Sequence, residues 1–154
     1  MRRWTHLATD AAIERAAFDL SLWGYRELAE TEKEMSHWYR FGDDAIVFFN
    51  WHDDCWLGEV AVHVCVKPES RSSWQARRFM QGIEIVGELL GFYRLRGQEP
   101  NGEHGYLKRL GWTEDDRGWY RCLGGAETLD WEYMRQATDK MYPKSPSQQL
   151  LSHY

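Results

Sequence analysis

Two side chains that can exchange a proton lie close together in the sequence, at Glu59 and His63. Both fall in a segment whose alternating valines predict a β-strand, so they point to the same face of that strand. Four residues of strand separate their Cα atoms by roughly 13 Å. Either side chain could act as a general base, and Glu59 is the more natural one, directly or through water. The alternative for His63 is a hydrogen-bonded side chain within the core.

A candidate anion site follows the same strand. Lys67-Pro68-Glu69 ends the strand, and Ser70-Arg71-Ser72-Ser73 then supplies hydroxyl groups that can cap a helix. The N–H groups at the start of such a helix point outward and bind phosphate well. Arg71, together with Arg77 and Arg78, forms a compact basic patch there. The alternative is a solvated helix start without a ligand.

The sequence gives less support for a metal site or for hydrolase chemistry than for a general base and an anion site. Four side chains could be imagined as metal ligands: His52, Cys55, His63 and Cys65. The first two lie in a predicted turn, whereas the last two share one face of a strand, so we predict ordinary buried side chains and no metal. The sequence shows no order of Ser, His and Asp and no spacing of paired carboxylates that would favour a hydrolase. The three cysteines cannot all pair, which favours a reducing compartment.

Periodicity predicts the elements that must position these residues. Valines at every second position from Val60 to Val66 predict a strand with one buried face. A helix is predicted from Trp74 to Leu90, and Gly91 ends it. A second strand, from Phe92 to Arg96, is expected to run parallel to the valine strand and to separate from it near the start of that helix.

The remaining elements complete an α/β (α+β) pattern. A strand from Trp4 to Leu7 precedes a helix that Thr9-Asp10 caps and that continues to about Leu28. A charged link without an apolar face is predicted from Glu27 to Glu34. Further strands are predicted at Trp38 to Phe41, Ala45 to Trp51, and Trp119 to Leu123. The predicted order of elements is β-α-β-β-β-α-β-α-β-β.

Two segments resemble motifs of the GNAT N-acetyltransferases. The run from Val66 through Arg71 to Ala76 resembles the family's acyl-CoA loop, in which Arg/Gln-x-x-Gly-x-Gly/Ala follows a strand and opens a helix. The run from Asn101 to Trp112 resembles the family's asparagine-started helix, which ends in Leu-Gly-aromatic. The two motifs lie in the family's order. The resemblance implies a GNAT-like mixed central sheet with helices on both faces.

The resemblance also implies a cofactor and a set of site residues. Acetyl-CoA would donate its acetyl group to an amine, with Glu59 or His63 taking the ammonium proton. The pyrophosphate would meet the N–H groups of residues 72 to 76. The implied cofactor-binding residues are Val64, Val66, Arg71, Ser72, Ser73, Trp74, Gln75, Ala76 and Asn101.

Two positions depart from the family's pattern. Trp74 stands where the loop glycine lets the backbone approach the pyrophosphate. Leu107 stands where the family often has a catalytic tyrosine, and Tyr106 is the nearest substitute, about 100° away around the helix. These departures favour a second hypothesis. In it, the protein has the GNAT fold without catalytic activity and acts as a structural or interaction protein.

The variant loop is most similar to GNAT proteins encoded by tailed bacteriophages, which implies the host cytoplasm or the virion as the location. Gly124-Gly125 is predicted to end a first domain, residues 1–124. Residues 125–154 are predicted to form a short helix and an extended tail that contacts a protein partner, such as a phage structural protein. A third hypothesis is an anti-defence protein that binds or acetylates a host factor.

Composition limits the remaining classes. A chain of 154 residues is long enough to bury a core of its own. The net charge is −5 with acidic and basic side chains mixed, so no nucleic-acid partner is expected. No apolar run approaches the roughly 20 residues of a membrane span, and the N-terminus lacks the apolar core of a signal peptide. The sequence therefore predicts a soluble protein without a membrane partner.

Overall fold

The computed structural model of the protein describes residues 3–32, 36–51, 54–73, 76–98 and 105–143. Its strands are β1 (Trp4–His6), β2 (Ser36–Phe41), β3 (Ala45–Asn50), β4 (Glu59–Val66), β5 (Arg94–Gly97), β6 (Thr113–Asp115) and β7 (Gly118–Cys122). Its helices are α1 (Asp10–Leu22), α2 (Arg26–Glu32), α3 (Ala76–Leu89), α4 (Tyr106–Arg109) and α5 (Trp131–Met141). Short 3-10 turns occupy Pro68–Ser73 and Ala126–Thr128.

The strands form one seven-stranded mixed sheet in the order β1-β2-β3-β4-β5-β7-β6. β4 and β5 are parallel, as predicted, and the other neighbouring pairs are antiparallel. Parallel neighbours need a crossover connection, which α3 provides. The predicted α/β pattern and the mixed central sheet with helices on both faces are confirmed.

Each face of the sheet carries its own apolar core. On the first face, Phe79 and Ile83 of α3 pack with Leu95 of β5 and Leu107 of α4. On the second face, α1 and α2 cover β2, β3 and the end of β4, with the buried residues Leu20, Ala29, Trp38, Ile46, Phe48 and Cys65. The helices are therefore amphipathic layers on a sheet. Within the described ranges, no helix is long and apolar enough to cross a membrane.

The prediction of a single buried face for the valine strand was wrong in the first half of β4. Residues Glu59 to Val62 are all buried, although successive side chains point to opposite faces. The reason is the central position of β4, since the α3 core covers Val60 and Val62 while arginine side chains from β5 cover Glu59 on the other face. Val64, by contrast, is 39% exposed, because it lies beyond the end of the pairing with β5.

The first helical region is divided differently from the prediction. α1 ends at Leu22 rather than near Leu28, because Gly24 adopts a φ of 93° and redirects the chain. The segment predicted to be a charged link is helical as far as Glu32. The segment does have an apolar contact, through Ala29, which is 2% exposed and packs with the buried residues of α1.

The described part of the predicted tail packs on the sheet domain. The Asp130 carboxylate caps α5 by accepting a hydrogen bond from the Tyr133 N–H at 3.1 Å. The Thr138 hydroxyl accepts a hydrogen bond from the Leu57 N–H at 2.7 Å. Residues 144–154 lie outside the described part of the chain, so the domain boundary at Gly124-Gly125 and the partner contact stay predictions.

The contact between α3 and β1 leaves no room for a side chain at Gly82. A Cβ there would lie 2.1 Å from Trp4 Nε1, and the indole ring is stacked on Phe79 with 5.3 Å between ring centroids. We expect Gly82→Ala to lower the free energy of unfolding by about 1–3 kcal/mol through overpacking, against a gain of up to about 1 kcal/mol in helix propensity. Urea denaturation measures the difference.

The matched control is the same glycine substitution in a Trp4→Leu background. With the indole removed, Gly82→Ala should cost nothing or stabilise the helix, so the two substitutions should be strongly non-additive. Additive effects would contradict the close packing of the indole on the glycine.

Candidate functional site

The site is built where β4 and β5 separate. Their parallel ladder runs only from Glu59 opposite Arg94 to Ala61 opposite Arg96. β5 ends at Gly97, whereas β4 continues to Val66, so the rest of β4 faces a gap on this side. The predicted separation of the two strands is therefore present in the structure.

A cavity of about 460 Å³ lies at this separation. Its wall is made by residues 54–56 of the loop before β4, residues 61–63 of β4, residues 96–98 at the end of β5, Arg117, and residues 138–139 of α5. Segments that are distant in the sequence thus meet around one space of small-molecule size.

The Glu59 carboxylate lies directly behind this cavity and is not exposed to solvent. It accepts hydrogen bonds from Arg94 Nε at 2.8 Å and Arg96 Nε at 2.9 Å. Arg117 donates from Nη1 and Nη2, both at 2.9 Å. The Trp56 N–H at 2.8 Å and Arg94 Nη2 bring the number of hydrogen bonds to six. The acceptor capacity of the carboxylate is therefore used within the protein.

Asp115 extends this arrangement into a network of two carboxylates and three guanidinium groups. Its oxygens accept two parallel hydrogen bonds from Arg96, each 2.8 Å long. The N–H of Arg117 donates to Asp115 Oδ1 at 2.9 Å, which holds the turn between β6 and β7 in place. Bidentate contacts of this kind are the strongest form of arginine–carboxylate pairing.

Aromatic rings cover the guanidinium groups. The Arg117 guanidinium lies 3.4 Å from the centroid of Trp56, and the Arg94 guanidinium lies between Trp131 at 3.8 Å and Tyr120 at 4.7 Å. Cation–π contacts are strongest where the cation is removed from water, as Arg94 is. Trp131 belongs to α5, so the charge network also holds that helix on the domain.

The network controls the ionisation of both carboxylates. Burial by itself would raise the pKa of Glu59, but the Arg117 hydrogen bond, the Trp56 N–H and the charges of Arg96 and Arg94 together lower it below its ordinary value of 4.5. The hydrogen bond from Arg96 is the main cause that lowers the pKa of Asp115. Both groups therefore stay ionised in the folded protein at neutral pH.

His63 lies on the cavity wall, two residues past the last β4 residue that pairs with β5. It is half-buried, it faces Phe48 across the β3–β4 ladder, and strand alternation places it on the same sheet face as Glu59. Of the two side chains predicted as a general base, His63 is the one that lines the cavity, while Glu59 lies behind it. The catalytic assignment of each stays a prediction.

Tyr106 is placed away from the cavity. It is the first residue of α4 and packs against the apolar core on the opposite face of the sheet. Its neighbour Leu107, at the position of the family's tyrosine, is buried in that core. Its packing therefore lies on the other face of the sheet from His63, and its role as a substitute for the family's catalytic tyrosine stays a prediction.

The predicted cofactor-binding residues follow the second half of β4. Val64 and Val66 lie on β4 beyond the ladder with β5. Arg71, Ser72 and Ser73 belong to the 3-10 turn Pro68–Ser73, and Ala76 begins α3. Trp74, Gln75 and Asn101 lie outside the described residues.

The turn that bears these residues is tied to the neighbouring hairpin. The Ser70 hydroxyl, which the sequence offered as a helix cap, donates instead to Asp44 Oδ1 at 2.5 Å. The Lys67 N–H donates to the Asp44 carbonyl oxygen at 2.7 Å. The connection between β2 and β3 thus fixes the start of the turn.

Sequence reasoning missed the arginines that dominate the site. Arg94 and Arg96 alternate on the predicted strand after α3, so both point to one face, and buried guanidinium groups need carboxylate partners. That pattern, set beside Glu59 on the adjacent parallel strand, was a usable signal. Arg117 and Asp115 gave no such signal, because they lie at the turn between β6 and β7, where no periodic pattern marks them. Among the described residues, no group of three or more His, Cys, Asp or Glu side chains is arranged to hold a metal ion.

Solved structures with the same architecture include N-acetyltransferases. The ribosomal-protein-S18-alanine N-acetyltransferase of Escherichia coli is 15% identical with a TM-score of 0.54, over 75% of this chain and 79% of its own. The spermidine N-acetyltransferase of Vibrio cholerae is 9% identical with a TM-score of 0.57, over 84% and 97%. Tetrahymena GCN5 is 16% identical with a TM-score of 0.54, over 93% and 89%.

Sequence comparison adds no relative, since no family model and no curated protein matches the chain. At these low identities the structural likeness concerns the fold. The protein has the GNAT fold.

The buried network predicts how stability depends on Glu59 and on pH. Glu59→Gln leaves three buried guanidinium groups without their central charge, so we expect the free energy of unfolding to fall by about 3–5 kcal/mol. Because the folded pKa of Glu59 lies below 4.5, the stabilisation from its ionised form is complete above that pH. It is lost as the pH falls through the folded pKa.

Denaturation curves at several pH values test this expectation. The wild-type protein should lose stability below pH 4.5, and Glu59→Gln should show a flatter acid limb. Glu114→Gln, an exposed change on β6, is the control and should resemble the wild type. A Glu59→Gln protein as stable as this control would show that the network contributes little.

Proposed function

We propose that the protein transfers an acyl group from acetyl-CoA to an amine. The observation that carries the proposal is the cavity at the separation of β4 and β5, with a partly exposed imidazole, His63, on its wall. The GNAT fold of the chain adds support, because N-acetyltransferases share it.

The residues present fit a CoA thioester. β4 continues past its ladder with β5, so the gap beside residues 62–66 can admit an extended, amide-bearing arm along the strand. The turn Pro68–Ser73 and the start of α3 follow directly, where backbone N–H groups and Arg71 would hold the phosphates. Bound there, acetyl-CoA supplies an activated acyl carbon with a thiolate leaving group.

Proton transfer is assigned to His63. A base must lie near the amine and must have a pKa matched to neutral pH. Glu59 has a lowered pKa and six N–H donors within 2.9 Å, so its contacts favour a structural role. In the reaction, the amine nitrogen bonds to the acyl carbon and the carbon–sulfur bond breaks. The ammonium gives up two protons, of which one goes to the thiolate sulfur and one is released.

The variant His63→Gln distinguishes the binding of CoA from the acyl-transfer step. Calorimetric titration should show that CoA binds the wild type and the variant with equal affinity. The acetylation rate of a primary amine should fall by roughly 10²–10⁴-fold in the variant, the usual contribution of a general base. His6→Gln, at an exposed position on β1, is the matched control and should keep the full rate.

Two outcomes would change the assignment. An unchanged acetylation rate in His63→Gln would indicate that Glu59 or a water molecule acts as the general base. Absence of CoA binding at millimolar concentration would remove the acyl-transfer proposal and favour the second candidate.

The second candidate is a GNAT-fold protein that binds a partner without catalysis. It is supported by Leu107, which is 6% exposed in the core at the position of the family's tyrosine, and by the closed ion network around Glu59. In this candidate the partner is a phage structural protein or a host defence factor, met through the C-terminal tail. The protein would then act in the host cytoplasm or within a phage virion.

A truncation tests the role of the tail. The described contacts of α5 with its domain run from Trp131 to Tyr142, whose ring lies 4.9 Å from that of Trp51. Deleting residues 143–154 should therefore leave the melting temperature nearly unchanged while co-purification with the phage structural proteins is lost. Deletion from residue 131 is the control, and it should lower the melting temperature by several degrees. If the shorter deletion greatly lowered the melting temperature but retained the association, the tail would be shown to pack on its own domain.

A further inference from the structure

The guanidinium group of Arg117 lines the cavity and keeps one edge for a ligand. Its Nη1 donates to Glu59 Oε1 at 2.9 Å and to the Asp54 carbonyl oxygen at 3.1 Å, and its Nη2 donates to Glu59 Oε2 at 2.9 Å. A guanidinium has five N–H groups in one plane, so Nε–H and the second Nη2–H remain, side by side. Neither of them has an acceptor among the described residues.

The position of this edge is fixed before any ligand binds. The ring of Trp56 covers one face of the Arg117 guanidinium, 3.4 Å from the ring centroid. The side chain of Arg117 is 23% exposed, whereas that of Arg96, the other guanidinium on the cavity wall, is 8% exposed. Arg96 also donates from all three of its nitrogens to Glu59 and Asp115. Arg117 is therefore the more accessible cation of the wall, and its donors need no reorganisation to meet a charge.

The charges around Arg117 favour an anion. The network there joins three guanidinium groups to two carboxylates, which belong to Arg94, Arg96, Arg117, Glu59 and Asp115. Positive charge is therefore in excess within the network. The carboxylates of Asp54 and Asp139 are on the exposed part of the wall, where water and salt screen them.

The proposed reaction produces an anion at this place. A CoA arm beside residues 62–66, with its phosphates at the turn Pro68–Ser73, brings the thioester to the point where β4 and β5 separate. That point is the cavity, between residues 61–63 and 96–98. When the carbon–sulfur bond breaks, the sulfur keeps the electron pair and becomes negative.

The wall offers this sulfur a cation more readily than an acid. Among the described residues of the wall there is no tyrosine or lysine. The Thr138 hydroxyl already donates to the Met134 carbonyl oxygen at 2.7 Å, and Cys55 is only 1% exposed. A positive group can stabilise a thiolate without giving it a proton.

We propose that Arg117 is a further catalytic residue, which binds the thiolate sulfur of CoA through its Nε–H and Nη2–H edge as the sulfur leaves. This assignment rests on the acyl-transfer function proposed above. The amine nitrogen bonds to the acyl carbon, the carbon–sulfur bond breaks, and the electron pair stays on the sulfur beside the guanidinium. The sulfur receives its proton only after that bond has broken, and the second ammonium proton is released through His63.

The test is the acid–base titration of the thiol of CoA bound to the protein, followed by the ultraviolet absorbance of the thiolate. The same titration of the protein without CoA is subtracted, which removes the signals of its own tyrosines and cysteines. We expect the bound thiol to ionise about one pH unit or more below free CoA, a roughly tenfold larger ratio of thiolate to thiol. The groups of the wall that face the thiol and carry or can carry charge are His63, Arg96, Arg117, Asp54, Cys55 and Asp139.

Variants assign the shift to one of these groups. Arg117→Gln should lose most of the shift, and Arg117→Lys, which keeps a cation, should retain most of it. His63→Gln should keep the shift, because a neutral imidazole adds no charge above pH 7. The matched control is Arg121→Gln on the same β6–β7 hairpin. Arg121 is also partly exposed and donates to Glu84 at 2.7 Å, but it does not line the cavity, so its variant should titrate as the wild type does.

The wild type gives a decision even if Arg117→Gln does not fold. A bound thiol that titrates like free CoA overturns the inference, and so does an equal shift in the wild type and in folded Arg117→Gln. If Arg117→Gln is unfolded, a shift that persists in His63→Gln supports the guanidinium. Acetyl transfer with an unshifted thiol overturns only this inference, whereas absence of CoA binding overturns it together with the proposed function.

Discussion

A carboxylate without solvent contact, Glu59, is the constraint on which this structure depends. Removing such a charge from water is costly, and the protein recovers the cost only when the partners are complete and well aligned. The partners come from β5, from the turn between β6 and β7, and from the loop before β4. Each of these segments is consequently held in one position relative to β4, which fixes the half of the sheet where the cavity lies.

The network also places two neighbouring residues of β4 in different environments. Glu59 and His63 share a face of β4, but the ladder with β5 ends between them, so one carries the buried charge and the other lines the cavity. A lowered pKa suits a permanent anion that organises three guanidinium groups. It does not suit a base that must release and accept protons near neutral pH. His63 lies past Ala61, the last β4 residue that pairs with β5, and lines the cavity.

α5 depends on the same network. Its Trp131 covers Arg94, a guanidinium that is already fixed by Glu59, and its Thr138 completes the backbone hydrogen bonding of the loop before β4. A helix that looked like part of a separate tail thereby becomes a wall of the cavity. Ordinary packing thus brings the C-terminal helix to the cavity.

Local patterns in the sequence were enough to predict the strands, α3 and the parallel pairing of β4 with β5. The hydrophobic period and the glycine positions that indicate these elements act within a few residues. They were also enough to identify His63 and Glu59 as the ionisable pair of one strand face. They failed for α2, whose short apolar contact with α1 gives no periodic signal, and for the two-sided burial of β4, which depends on its place in the sheet. Only the tertiary structure showed the different environments of Glu59 and His63, the arginine network and the wall formed by α5. The physical reason is that the partners of a buried charge lie 35, 37 and 58 residues away in the chain, and nothing local indicates which of the arginines will reach it.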